Sequence, residues 1–180
     1  MKRFGVYIAA AAIALPGSVA LAGQDSAKPA HGESYPVELF MNTCVAGRGE
    51  AGAVASQAAK SGFQVATEDI ARRYLLGKAG KAWYASNEHG EFGIAVLEDG
   101  ICSVFLHKGD SGTLLASLES RLPAKNSGSH YTRELVSRTG FLTTTGYRIF
   151  HGDVLTEEWV ITVSDLPESG LAAILSYIAR

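Results

Sequence analysis

At 180 residues, 47% of them hydrophobic, the chain is long enough to build one domain around one core. Its 16 Lys and Arg stand against 18 Asp and Glu, a formal net charge of −2, with no basic cluster along the chain. Nucleic acid and anionic membrane surfaces are therefore poor partners, because both are held by Lys and Arg neutralising phosphates.

The first 22 residues read as a signal peptide. Lys2 and Arg3 give a positive start, Phe4 to Ala14 form an uncharged stretch dominated by Ala and Ile, and Pro16-Gly17 precede the small-residue site Ala20-Leu21-Ala22. The strongly apolar run is shorter than the about 20 residues that a membrane span needs. The pattern predicts cleavage after Ala22 and a periplasmic or secreted protein. Lipid attachment would need a Cys directly after the cleavage site, and the first Cys is Cys44. Cleavage removes two basic residues and no acidic one, which makes the mature chain more acidic, at about −4.

Residues 23–33 are small and polar and include Pro29, the composition of a flexible leader, so the folded domain is expected over residues 34–180. Val37, Phe40, Met41 and Cys44 recur at helical spacing behind Pro36, predicting a first helix to about Val45 that ends at Gly47. Ala51 to Lys60 reads as a second, Ala-rich helix stopped by Ser61-Gly62. Glu68 to Leu76 reads as a third, capped by Thr67 and ended at Gly77.

After Gly77 the period changes to two. Lys81–Ser86, Glu91–Glu98 and Ile101–His107 are short runs rich in aromatic and branched residues. Asp99-Gly100 between the last two is a strong hairpin signal, since a two-residue primed turn needs the positive φ that Asp and Gly tolerate. Leu114, Leu115, Leu118 and Leu122 mark a helix ended by Pro123. A second set of strands follows at Tyr131–Arg138, Phe141–Phe150 and Leu155–Ser164, and Leu171–Ile178 is expected as a last strand rather than a helix. Without βαβα alternation a parallel nucleotide-binding sheet is disfavoured. The expectation is an α+β fold: N-terminal helices on an antiparallel sheet of about six or seven strands, with one intervening helix.

Two cysteines in an exported chain most simply form one disulfide. Cys44 lies on the apolar stripe of the first helix, and Cys102 alternates with Val104 and Leu106 on one face of a strand, so both point into a core. A redox-active pair normally stands as C-x-x-C in an electropositive setting, which neither Cys has.

Chemistry-bearing patterns are sparse. Gly109-Asp110-Ser111-Gly112 has the letters found around the nucleophile of chymotrypsin-like proteases, but no upstream His stands in the segment that family requires. The alternative is that Asp110 or Ser111 caps the following helix. His31, His89, His107, His130 and His151 are isolated from one another in sequence, with no metal-binding spacing. His107 and His151 each end a predicted strand, with Asp153 close by, which leaves open a site assembled in space. Alternation leaves Glu157 on the face of Trp159 and puts Glu158 on the other. No phosphate-loop, dinucleotide or nucleophile-elbow motif occurs, so no cofactor, metal or catalytic set is assigned.

Phe40 with Cys44, Gly62-Phe63, Ala71 with Leu75-Leu76-Gly77, Gly80-Lys81-Ala82-Trp83 and Cys102-Ser103-Val104 together resemble a group of small proteobacterial proteins, secreted or lipid-anchored. Their marks are an early helical Cys, a Gly-x-Ala-Trp strand and a Cys-x-Val strand. The likeness covers Phe40 to about Leu122 and implies an envelope location and a Cys44–Cys102 bridge, but no activity. The leading expectation is thus a non-catalytic module that binds another envelope or secreted protein, as an inhibitor, an immunity factor against a toxin, or an accessory subunit. The alternatives are a hydrolase whose His107, Asp110, Ser111 and His151 converge in space, and a small-ligand carrier.

Overall fold

A computed structural model describes residues 34–108, 111–124, 127–166 and 170–180. The expected signal peptide, the leader and Asp110 lie outside the described residues. In chain order the elements are α1 (Tyr35–Phe40), a π-helical turn (Met41–Val45), α2 (Ala51–Lys60), β1 (Gln64–Val65), α3 (Glu68–Leu75), β2 (Gly80–Asn87), β3 (Gly90–Leu97), β4 (Cys102–Lys108), α4 (Leu114–Glu119), β5 (Ser129–Thr139), β6 (Leu142–His151), β7 (Val154–Ser164) and β8 (Ala173–Ala179).

The strands form a single antiparallel sheet in the order β1-β2-β3-β4-β8-β7-β6-β5. Two four-strand meanders thus meet at their last strands. The sheet has eight strands rather than the six or seven expected. The last segment, which could be read as strand or helix, is a strand as expected, and the extra one is β1, whose two residues are too short to show alternation.

One face of the sheet carries the main core. Trp83, Phe92, Ile94, Val96, Cys102, Val104, Leu106, Tyr147, Trp159, Ile161, Leu175 and Tyr177 are buried there with Val37, Phe40, Leu114 and Leu118 from the helices. Phe40 meets Trp159 edge-on, with ring centroids 5.8 Å apart. Cys44 and Cys102 are joined by a disulfide, Cα to Cα 5.3 Å, which fastens the π-helical turn to β4.

On the opposite face α3 packs over β2 and β3, where Tyr74 lies with Ala82, Ala95 and Phe105. Thr67 is the N-cap of α3 as expected, but its side chain makes no capping bond. Before α4 the N-cap is Thr113, also without a side-chain bond, while Ser111 accepts from Leu114 N–H through its own carbonyl. The expected role of Ser111 as a side-chain cap is therefore not met: Ser111 stands two positions before the N-cap, and a side-chain cap acts from the N-cap itself.

Candidate interaction surface

The two histidines that most invited a catalytic reading, His107 and His151, do not converge. In register across the sheet, Leu106 faces Ala173, Ala173 faces Val163, and Val163 faces Thr143. His107 follows Leu106, whereas His151 lies eight positions beyond Thr143 on β6, so the two stand at opposite ends of the sheet, on the order of 25–30 Å apart. His107 Nδ1 donates to the Gly170 carbonyl, and His151 Nδ1 lies 3.3 Å from Ser129 Oγ. His89 stacks on Tyr35 and His130 on Phe150. Among the described residues no group of three His, Cys, Asp or Glu is placed to hold a metal ion.

The two glutamates before Trp159 separate as alternation requires. Glu158 lies away from the core, 3.3 Å from Arg148 and 2.6 Å from Arg180, and Arg148 also reaches Glu134 at 3.4 Å. Thr144 and Thr162 share a hydrogen bond of 2.9 Å on that same face. This half of the sheet therefore presents a polar surface rather than a second core. Glu157 lies beside Tyr177, whose phenol is pushed up first by burial and then by the Glu157 charge.

The unusual feature is β5. It ends the strand order, pairs with β6 alone, and among the described residues nothing pairs with its outer edge. Every one of its residues from His130 to Thr139 is exposed. Among the described residues eight large hydrophobic side chains are exposed, and four of them, Tyr131 (42%), Leu135 (63%), Val136 (53%) and Phe141 (40%), lie on β5 or in its turn to β6. An edge strand is an open row of backbone donors and acceptors, and soluble proteins normally keep it short or cover it. Here it runs for 11 residues, with one interruption: a bulge at Val136, between Leu135 and Ser137.

Beside the start of β5 runs a groove of about 490 Å³, lined by Glu119, Leu122, Pro123, Ala124, His130 and Tyr131. Its acid is already engaged. Glu119 Oε1 accepts from the Tyr147 hydroxyl at 2.8 Å and lies 3.1 Å from Arg133 Nε. Burial, followed by that bond to Glu119, pushes the Tyr147 phenol up to about 12. A phenol raised above its unfolded value of 10.0 contributes stability that is complete below pH 10 and is lost as pH rises towards 12. Tyr147→Phe should therefore flatten the alkaline loss by up to about 2 kcal/mol, read as the difference in urea midpoints between pH 9 and pH 12. An unchanged alkaline slope would show that Tyr147 is not the group that titrates.

No family model, curated protein or solved structure matches this chain. Two findings bear on where it works. The disulfide is compatible with an oxidising compartment, and among the described residues no helix is long and apolar enough to cross a membrane.

In the sequence the edge position of β5 leaves only a faint signal. Tyr131-Thr132-Arg133-Glu134-Leu135-Val136 alternates poorly, which is how a strand reads when neither of its faces is buried.

Proposed function

We propose that this protein is a non-catalytic binding module of the cell envelope or extracellular space that recognises another polypeptide through the outer edge of β5. The observation that carries this reading is the 11-residue edge strand whose outer backbone has no partner among the described residues and whose exposed side chains include Tyr131, Leu135 and Val136. An extended segment that adds a strand there gains main-chain hydrogen bonds, and pockets beside the strand supply selectivity. The groove lined by Leu122, Pro123 and Tyr131 is such a pocket. An inhibitor, an immunity factor or an accessory subunit of an envelope complex would each work in this way. The resemblance carried by Cys44, Gly80 to Trp83 and Cys102 to Val104 agrees with an envelope setting.

The test is affinity capture from a native envelope extract with three baits: the oxidised protein, the same protein heat-denatured, and the double variant Leu135→Asp/Val136→Asp. Both positions are more than half exposed, so the variant keeps the fold. A stoichiometric polypeptide retained by the native bait and lost from the other two is the expected result. Equal retention by the native and double-variant baits would remove β5 from the reading, and retention of nothing specific would remove the module reading itself.

A further inference from the structure

We infer that the polypeptide that fits the β5 edge is a second copy of this chain, paired antiparallel about a two-fold axis through Thr132. This rests on the reading of β5 as a binding edge and names its partner. The regular part of β5 is set by its ladder with β6, which runs without a break from Ser129, opposite His151, to Leu135, opposite Thr145. The bulge at Val136 bends the strand and ends regular pairing there. The edge therefore offers seven residues, Ser129 to Leu135, and their midpoint is Thr132.

A two-fold axis normal to the sheet is the operation that brings the same edge of two copies together antiparallel while keeping both faces continuous. Residues that meet across such a pair share a face, so each candidate register is centred on a residue. Centring on Arg133 sets Arg133 against itself, and centring on Glu134 sets Glu134 against itself; like charges directly opposite are unfavourable. Centring on Tyr131 shortens the overlap and leaves Glu134 and Leu135 without partners. Centring on Thr132 uses all seven residues. It places His130 opposite Glu134, Tyr131 opposite Arg133, Ser129 opposite Leu135, and the two Thr132 side chains face to face.

Each unlike pair then occurs twice. An imidazole meets a carboxylate, a guanidinium meets a phenol ring, and two hydroxyls meet at the axis, all favourable cross-strand combinations. Leu135 becomes the diagonal neighbour of the other copy's Tyr131, so these two exposed apolar residues cover one another. Charges on an edge usually prevent self-pairing. In this register they support it. The product is a continuous sheet of eight strands from each copy, with β5 at its centre.

The test reads both association and register on the purified, oxidised protein. Sedimentation equilibrium should show a monomer–dimer equilibrium. Thr132 is exposed, so Thr132→Lys and Thr132→Glu should each fold and each lose dimer by about tenfold in dissociation constant, while an equimolar mixture of the two recovers it. Thr132→Cys should give a disulfide-linked dimer on oxidation, because opposite Cβ atoms are about 5 Å apart. Thr139→Cys should not, since the two copies of that residue would stand on the order of 45 Å apart. A protein that stays monomeric at every concentration overturns the proposal. So does a dimer that survives both charge variants or fails to cross-link through position 132, because it would use another surface. The capture experiment separates the two readings: a foreign polypeptide lost with Leu135→Asp/Val136→Asp keeps the binding edge even where self-pairing fails.

Discussion

Replacing Cys44 and Cys102 together by Ala should lower the unfolding free energy by about 4 kcal/mol, which is a large share of the 5–15 kcal/mol typical of a domain. The two residues are 58 apart in sequence, and both are fully buried. A bridge across so long a loop acts chiefly by restricting the unfolded chain, so most of the loss appears without any change in native contacts. Part of it has a definite place in the fold. Cys44 sits in the π-helical turn between α1 and α2, and the bridge fixes that turn against β4 beneath it. Urea unfolding of the oxidised protein and the double-Ala variant measures the difference directly. Hydrogen exchange should show α1 and α2 losing protection ahead of the sheet. A shift equivalent to less than about 1 kcal/mol would mean that packing of Phe40 and Val37 holds these helices without the bridge.

How far the fold could be read in advance follows from the range of each signal. Cys44 was readable because helical spacing ties it to Val37, Phe40 and Met41, and Cys102 because alternation ties it to Val104 and Leu106; the structure joins the two. The π-helical turn was not readable, since one extra residue per turn hardly disturbs a stripe only eight residues long. The hairpin at Asp99-Gly100 was legible but its turn type was not: Gly100 takes a positive φ of +84° while Asp99 does not, and the turn closes with Gly100 N–H donating to the Leu97 carbonyl at 2.9 Å, so it is not the primed turn expected. Strand order was not legible at all. The local sequence of β4 and β6 carries nothing that places β8 and β7 between them. That is why His107 and His151 read as possible neighbours at strand ends and stand instead at opposite ends of the sheet. The same ignorance hid β5: being an edge is a property of the pairing order, and only the weak alternation around Thr132 hinted at it.

Gly93→Ala should destabilise the sheet by about 3 kcal/mol, at the upper end for an overpacked core. Gly93 lies on β3 opposite Tyr84 on β2 and Phe105 on β4, beneath the ring of Tyr74 from α3. A Cβ at this position would stand 2.1 Å from Tyr74 Cε1 and 2.4 Å from Cδ1, distances that no rotamer adjustment of an alanine can relieve. The ring cannot simply slide, because it is held beside Phe105 at 5.3 Å and His107 at 5.5 Å between ring centroids. The helix must lift instead, taking Ile70, Ala71 and Leu75 with it and exposing the small core on that face. Burial is the main cause that raises the Tyr74 phenol, so lifting α3 should also return its titration towards 10.0. The decisive measurement is a double-mutant cycle with Tyr74→Ala. Once the ring is gone, adding Gly93→Ala should cost little, giving a coupling of about 2–3 kcal/mol. Additive losses would place the cost in the β3 backbone rather than in the contact with Tyr74.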